Sequence, residues 1–399
     1  MRNLKEDHKG FSTILALALI PLSGFATDVY LPSLPAMAKD LNVSASAVQL
    51  TLVFFMLSLG ISQIFIGSIL DSFGRFKINI ASLAIFSLSS FVIALVPDIY
   101  VIYAMRIVQG IAIAFIVIAK RAYFVDLFTG DKLKSYISLF SIIWASAPII
   151  APFAGGYLEH SFGWKSNFYF LGLLSFLILL LELRYSGETI KEFHPFKLKS
   201  ISKTYSNMLK STDFTLGFII LGITFAIVIM FNLSSPFIIE RIFGYSAITT
   251  GYSALLSGLS VMIGGITAKS LIKIPLAKKV GTAITMQLVL VLLMILTSSL
   301  QSNIYTLTAF TMGLNLCGGF IYNIVLGYCL SRFSKNAGVA SGLTGGGAYM
   351  VSALFSYSFV NLYTVKSQFL LGLANVSLIL IVGIVFIFFN KYRIKNAIS

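Results

Sequence analysis

Twelve apolar stretches, separated by short polar turns, dominate this sequence of 399 residues. An α-helix needs about 20 apolar residues to cross the ~30 Å hydrocarbon core of a bilayer, and each stretch is near or above that length. Only 11% of the residues are charged, against about a quarter in soluble proteins. The sequence therefore predicts an all-α membrane protein with twelve transmembrane helices, at 11–38, 46–68, 78–96, 101–127, 134–158, 165–185, 212–239, 247–272, 277–299, 304–330, 336–362 and 367–390.

One polar interruption, residues 186–211, divides the twelve stretches into six and six. We therefore expect an N-terminal six-helix bundle over 1–185, a central loop over 186–211 and a C-terminal six-helix bundle over 212–399. Proline occurs at a corresponding place in the two halves, as Pro35 and Pro236. Matched breaks are typical of transporters whose discontinuous helices expose backbone groups near a central site, although a proline can also simply begin or kink a helix.

The formal net charge of +15 follows the predicted topology. Most of the 29 basic residues lie in the N-terminal segment, in alternate loops, in the central loop and in the C-terminal tail. Basic residues are retained on the cytoplasmic side during insertion, so both termini and the central loop are predicted to be cytoplasmic. This topology accounts for the charge without a nucleic-acid partner, and we interpret the signal-peptide-like N-terminus as an uncleaved first helix.

No metal or cofactor site is predicted. The three histidines, His8, His160 and His194, lie in three different polar segments, and both cysteines, Cys317 and Cys329, lie in the tenth apolar stretch. Neither pattern has the spacing of a metal cluster or of a disulfide framework. We therefore expect the protein to work without a cofactor.

Of the 14 acidic residues, only Asp28 lies well inside a predicted helix. An aspartate at the centre of a membrane helix costs about 2.5–3.5 kcal/mol on insertion scales, and such residues usually mark a substrate or proton pathway. Burial favours the neutral form of a carboxyl group, whereas a nearby cation favours the charged form. We interpret Asp28 as a protonatable switch; an aspartate hydrogen-bonded to a neighbouring helix is the structural alternative.

Arg106 is the corresponding basic residue, early in the fourth predicted helix. Its guanidinium stays charged in proteins and needs a carboxylate, carbonyl groups or water as partners. Gln109 and Gly110 follow one turn later and indicate a polar, closely packed helix face, while extension of the side chain to the membrane surface is the alternative. The same two interpretations apply to a second charged group near the other end of this helix: Lys120, Arg121 and Asp126.

Four motifs of this sequence resemble the major facilitator superfamily. GSILDSFGRFK at 67–77 resembles the superfamily's loop signature G-x-L-x-D-x-x-G-R-[KR], and RIVQG, which begins at Arg106, resembles its fourth-helix signature. PIIAPFAGGYL at 148–158 is similar to the fifth-helix signature of proton antiporters, although Ala147 and Ala151 replace two of its glycines. TDVYLPSLPAMAKDL is similar to the first helix of the Bcr/CflA group of drug-resistance exporters.

The resemblance implies the major facilitator fold, in which two six-helix bundles give alternating access, and a proton-driven exporter of small, drug-like or amphipathic molecules in a bacterial inner membrane. Asp28 would couple protons to substrate, with Arg106 as its partner in proton transfer. Arg75, paired with Asp126, would belong to a conformational latch. The implied latch residues are Gly67, Asp71, Gly74, Arg75 and Asp126, and the implied helix-packing residues are Pro148, Pro152, Gly155 and Gly156.

Tyr30, Gln109 and Asn232 are predicted to line the substrate cavity. The expected partners are a small-molecule substrate, protons and the lipid bilayer, with the chain acting as a monomer. A dedicated metabolite or siderophore transporter of the same fold is an alternative, as is an importer. A nucleotide-powered transporter, a membrane enzyme and a channel are disfavoured, because the chain has no complete phosphate-binding loop, no catalytic pairing at membrane depth and no repeated pore-lining charges.

Overall fold

The computed structural model of the chain describes residues 3–190, 193, 205–271, 273–333 and 337–398. These residues are mostly helical and form two compact units, Met1–Leu198 and Lys199–Ser399. The boundary between the units falls inside the predicted central loop, 186–211, part of which lies outside the described residues. The domain limits predicted from the sequence, and the side of the membrane on which this loop lies, stay predictions.

The first membrane span of the N-terminal unit is broken, because proline lacks a backbone N–H and interrupts the hydrogen bonding of a helix. Pro21, Pro32 and Pro35 stand at or next to the breaks. The span consists of α1 (Lys9–Leu19), α2 (Leu22–Asp28), a 3-10 turn (Leu31–Ser33) and α3 (Leu34–Asp40). Five longer helices complete the unit: α4 (Ala45–Phe73), α5 (Arg75–Leu95), α6 (Ile99–Leu127), α7 (Gly130–Phe162) and α8 (Lys165–Tyr185).

The first span of the C-terminal unit is also interrupted at a proline. Helix α9 (Thr212–Pro236) ends at Pro236 and continues as a π-helical turn, Phe237–Ile242. The correspondence between Pro236 and Pro35 of the first half stays a prediction from the sequence. The other long helices described in this unit are α10 (Ala247–Ser270), α11 (Leu276–Ser298), α12 (Ile304–Arg332), α13 (Ala337–Leu362) and α14 (Gln368–Ile398).

Within the described residues, 11 helical spans are long and apolar enough to cross a membrane. Helix α13 is not among these 11, but its 26 residues extend about 39 Å at 1.5 Å per residue, which is long enough to cross the hydrocarbon core. Its glycines allow close packing, since a Cβ on Gly347 would lie 2.9 Å from the ring of Phe218 on α9. The predicted all-α membrane fold is therefore confirmed.

Helices α2 and α7 approach each other closely at small residues, as is typical of membrane bundles. A Cβ on Gly155 of α7 would overlap the carbonyl oxygen of Val29, which directly follows Asp28. A Cβ on Gly24 of α2 would lie 2.5 Å from the Cβ of Ala147. Ala147 stands where the antiporter signature has glycine, and Gly24 on the facing helix provides the space that its methyl group needs.

Gly155→Ala should lower the free energy of unfolding by about 1–3 kcal/mol, because the added methyl group overlaps a backbone atom that can move only with its helix. The thermal midpoint of the detergent-solubilised protein measures the change. Gly281→Ala, in α11, is the matched control, since its Cβ would meet nothing within 4 Å and alanine favours helix over glycine. Equal midpoints for the two variants would contradict the close approach of α2 and α7.

Candidate functional site

Asp28 is the last residue of α2 and lies at the break in the first span. The residue is only 4% exposed. Its carboxylate forms no side-chain hydrogen bond and no ion pair with the part of the chain that the structure describes. The structural alternative for Asp28, a hydrogen bond to a neighbouring helix, is therefore not seen among the described residues.

Arg106, on α6, is completely buried and is held by hydrogen bonds instead of a carboxylate. Its Nη1 atom donates to the carbonyl oxygen of Ala26 at 2.9 Å and to Oε1 of Gln109 at 2.8 Å. Its Nε atom lies 3.5 Å from the carbonyl oxygen of Thr51, and Gln109 donates in turn to Oγ of Ser90 at 2.8 Å. Extension of Arg106 to the membrane surface is therefore wrong.

Two aromatic rings enclose the guanidinium of Arg106. Its Cζ atom lies 4.6 Å from the ring centre of Tyr30 and 4.2 Å from that of Phe55. Cation–π attraction is worth about 2 kcal/mol for a desolvated cation, so the rings offset part of the cost of burial. The Nη2 atom has no hydrogen-bond partner among the described residues. One nitrogen of a permanent cation is therefore buried without an acceptor among the residues that the structure describes.

The R-x-x-Q-G signature has a geometric basis in α6. Residues three apart lie on the same face of a helix, so Gln109 can fix the guanidinium of Arg106. A Cβ on Gly110 would lie 2.5 Å from the carbonyl oxygen of Phe55 on α4. The glycine therefore lets α4 come close enough for Phe55 and Thr51 to contact Arg106.

Asp28 and Arg106 are connected through the backbone of α2, because Ala26, which accepts a hydrogen bond from Arg106, precedes the acid by two residues. Burial favours the protonated carboxyl group, whereas the positive charge of Arg106 favours the carboxylate. Charges are poorly screened in apolar surroundings. A small movement of either group therefore changes the balance between the protonated and the ionised form of Asp28. The arrangement is chemically suited to gaining and losing a proton.

Of the three residues predicted to line a substrate cavity, two belong to the N-terminal unit and one belongs to the C-terminal unit. Tyr30 and Gln109 are completely buried in the N-terminal unit, where Tyr30 forms a hydrogen bond of 3.0 Å with Oγ1 of Thr51. Asn232 lies half-buried on α9 of the C-terminal unit. In this structure Tyr30 and Gln109 support Arg106 and do not face solvent, and their assignment to a substrate cavity stays a prediction.

The predicted helix-packing residues all lie on α7. Pro148 and Pro152 are inside the helix without ending it, and Gly155 and Gly156 are both buried. Because Gly155 touches the backbone directly after Asp28, α7 forms one wall beside the acid.

The Arg75 cluster, which comprises Arg75, Asp71 and Asp126, lies where α4, α5 and α6 end or begin. Nη2 of Arg75 lies 3.1 Å from Oδ1 of Asp71, and Nη1 pairs with Asp126. Gly74 precedes Arg75 with a φ of 92°, a conformation that favours glycine. Gly67 is exposed, and a Cβ there would meet nothing within 4 Å. The function of these residues as a latch stays a prediction.

Lys120 and Glu182 form a buried ion pair that sequence reasoning missed. Nζ of Lys120 lies 2.7 Å from both carboxylate oxygens of Glu182, and Asn79 donates to the same carboxylate at 3.2 Å. Lys120 is 5% exposed and Glu182 is completely buried. Extension of Lys120 to the surface is therefore wrong. The only sign of this pair in the sequence was one lysine and one glutamate near the ends of two different apolar stretches.

The C-terminal unit has a buried acid of its own. Asp213, near the start of α9, is completely buried and accepts hydrogen bonds from Nε of Arg332 at 2.8 Å and from the hydroxyl of Tyr328 at 2.6 Å. The same unit also has a neutral buried contact, in which Asn315 donates to Oγ of Ser257 at 2.5 Å. An acid near the end of an apolar stretch can therefore be as buried as Asp28.

These features together describe a multi-pass membrane transporter with a buried acid and a buried arginine in its first half. The model of the Major Facilitator Superfamily matches residues 16–357. Because this match covers most of the sequence, the chain belongs to the Major Facilitator Superfamily. The relatives and solved structures that it resembles are transporters and not enzymes.

Individual relatives agree with that assignment. The chain is 36% identical over 228 residues to an uncharacterized MFS-type transporter, YdgK, of Bacillus subtilis, with 55% of this chain and 56% of the relative covered. It is 32% identical over 226 residues to a bicyclomycin resistance protein homolog of Haemophilus influenzae, with 56% of this chain and 55% of the relative covered. These matches span about half the length of the curated relatives.

The fold is similar to that of a solved bacterial homolog of the human lysosomal transporter Spinster. The TM-score is 0.70 at 13% sequence identity, with 98% of this chain and 97% of the other covered. At this identity the similarity concerns the fold alone.

Lys120→Met should destabilise the protein by about 3–5 kcal/mol at neutral pH, because it leaves the charge of Glu182 buried without its partner. The double variant Lys120→Met/Glu182→Leu should recover most of that loss, and thermal midpoints measure both effects. Lys134→Met is the control, since Lys134 pairs with Asp131 on the surface, where both side chains are largely exposed and the pair contributes little. A single variant as stable as the double one would contradict the buried pair.

Proposed function

We propose that the protein is a proton-coupled secondary active exporter of small, drug-like or amphipathic molecules that works by alternating access. The proposal includes a bacterial inner-membrane location with both termini in the cytoplasm, as the distribution of basic residues predicts. The observation that carries it is the carboxyl group of Asp28, buried at a broken helix near the completely buried Arg106.

Coupling follows from the two charge states of this site. With Asp28 ionised, its negative charge offsets the positive charge of Arg106, and the unit favours the conformation that keeps the two close. With Asp28 protonated, Arg106 is left uncompensated in apolar surroundings, where electrostatic interactions are strong. The two protonation states therefore favour different conformations, and protons entering from outside drive the return step.

The energy available from one proton is sufficient for export. A unit charge that crosses a membrane potential of 100 mV releases about 2.3 kcal/mol, and each 1.4 kcal/mol corresponds to a tenfold ratio of concentrations. One proton per neutral substrate therefore supports a gradient of about 50-fold, before any difference in pH is added.

In this proposal the other predicted site residues act around the coupling pair. Tyr30 and Gln109 hold the guanidinium, and the α7 residues Pro148, Pro152, Gly155 and Gly156 hold α2. The Arg75 cluster, with Gly67 and Gly74, acts as a latch that is made in one conformation and released in the other. Asn232 contributes to the substrate cavity from the C-terminal unit, and the chain works as a monomer.

The similarity to a bicyclomycin resistance protein homolog supports export of drug-like molecules. A dedicated metabolite or siderophore transporter of the same fold is the second candidate, because the same coupling pair serves either substrate. Uptake of protons by proteoliposomes, measured against a panel of unrelated amphipathic compounds and bicyclomycin, separates the two. Responses to many compounds support the exporter of drug-like molecules, and a response to one compound alone supports the dedicated transporter.

Asp28→Asn should abolish transport driven by an imposed pH gradient while leaving insertion and folding intact. The amide is nearly isosteric with the acid and cannot release a proton, so the site stays fixed in one charge state. Efflux of the dye ethidium from proteoliposomes, and proton movement in the same vesicles, provide the measurement.

Asp131→Asn is the control, because it removes the same charge from a side chain that is almost fully exposed. We expect it to transport at the rate of the unmodified protein. Gradient-driven transport by Asp28→Asn at that same rate would contradict the assignment of Asp28 as the coupling acid.

A further inference from the structure

The segment that follows α8 places a carboxylate at the start of another helix. Glu188 is 6% exposed, and its carboxylate oxygens accept hydrogen bonds from two backbone N–H groups of α5, those of Arg75 at 3.2 Å and Phe76 at 3.1 Å. It also accepts from the N–H groups of Thr189 and Ile190, at 3.0 and 3.1 Å. One side chain therefore satisfies four backbone donors.

Helix α5 needs this cap because the residue directly before it offers no side-chain cap. The first N–H groups of a helix lack partners within it and carry partial positive charge. The residue before α5 is Gly74, which has no side chain to cap with. A Cβ on Gly74 would lie 2.7 Å from Oε2 of Glu188. Glycine at this position therefore provides both the unusual backbone angle and the room for the carboxylate of Glu188, which is 113 residues further along the chain than Arg75.

The neighbouring residue of the same segment contacts the acidic partner of Arg75. Oγ1 of Thr189 donates to Oδ2 of Asp126 at 2.8 Å, and Asp126 pairs with Arg75. Glu188 thus holds the backbone of Arg75, while Thr189 holds one of the two carboxylates that Arg75 contacts.

The segment is also fixed to the beginning of the chain. The N–H of Leu4 donates to the carbonyl oxygen of Glu188 at 3.2 Å, and the hydroxyl groups of Ser12 and Ser186 form a hydrogen bond of 2.9 Å. A Cβ on Gly187 would lie 2.5 Å from the backbone nitrogen of Leu4. Residues 186–190 are therefore held against the beginning of the chain within the N-terminal unit.

We propose that Glu188 is a positioning residue of the Arg75 cluster: by capping α5 it sets the angle at which Arg75 meets Asp126. The use of this cluster as a latch rests on the proposed transport function, whereas the positioning itself does not. A residue that only stabilised α5 would leave the Arg75–Asp126 interaction unchanged when replaced, and this difference provides the test.

The experiment is a double-variant cycle on the full chain, with thermal midpoints as the readout. Asp126→Asn is measured in the unmodified background and in the Glu188→Gln background. The glutamine amide keeps one acceptor oxygen and has an NH2 donor in place of the other, so it cannot accept all four hydrogen bonds. Interacting residues give non-additive effects, and independent ones give additive effects. We expect the shift caused by Asp126→Asn to fall to less than half in the Glu188→Gln background.

The control background is Glu6→Gln, which removes the same charge from a side chain that is largely exposed; there the shift caused by Asp126→Asn should keep its full size. If Glu188→Gln does not fold, Glu188→Asp provides the second background, because its shorter side chain weakens the cap without removing the charge. Additive shifts in the folded background overturn the proposal.

Ethidium efflux under a pH gradient is then measured on the same variants. Glu188→Gln should lower the maximal rate about fivefold, which corresponds to about 1 kcal/mol in the barrier, with an unchanged dissociation constant for ethidium. An unchanged rate overturns the link between Glu188 and the latch. Absence of gradient-driven transport in the unmodified protein counts against the proposed function, and the double-variant cycle still decides the positioning.

Discussion

The N-terminal unit depends on how it buries the guanidinium of Arg106. An arginine at membrane depth is costly and stays charged, so its surroundings have to supply partners. Here a carbonyl oxygen of α2, an amide of α6 and two aromatic rings do so. None of these partners carries a negative charge. The charge of Arg106 therefore remains available to act on Asp28.

The broken first span follows from the same requirement. A continuous helix would use the carbonyl oxygens of this region in its own hydrogen bonds, whereas α2 ends at Asp28 and resumes only at Leu34 as α3. The break needs a wall that comes close to it, and Gly155 of α7 provides that contact at Val29. Prolines in one helix and glycines in another thus build one site.

Residues whose chemistry contradicts their surroundings could be recognised from the sequence. Asp28 and Arg106 stand out because each is charged inside an apolar stretch, and the twelve helices follow from length and composition alone. Partners far apart in sequence could not be recognised. Lys120 and Glu182 are 62 residues apart, and each lies near the end of a stretch, where a charge is ordinarily solvated. Ala147 in place of a signature glycine is explained only by Gly24 on the facing helix.

The central claim is that the carboxyl group of Asp28 exists in two protonation states that the protein interconverts. Infrared difference spectroscopy of the protein in lipid detects a buried protonated carboxyl group through its C=O stretch and identifies it by its loss in Asp28→Asn. The account predicts a band that disappears reversibly as pH rises or when a transported compound is added. A band that is absent, or unchanged by both, would contradict it.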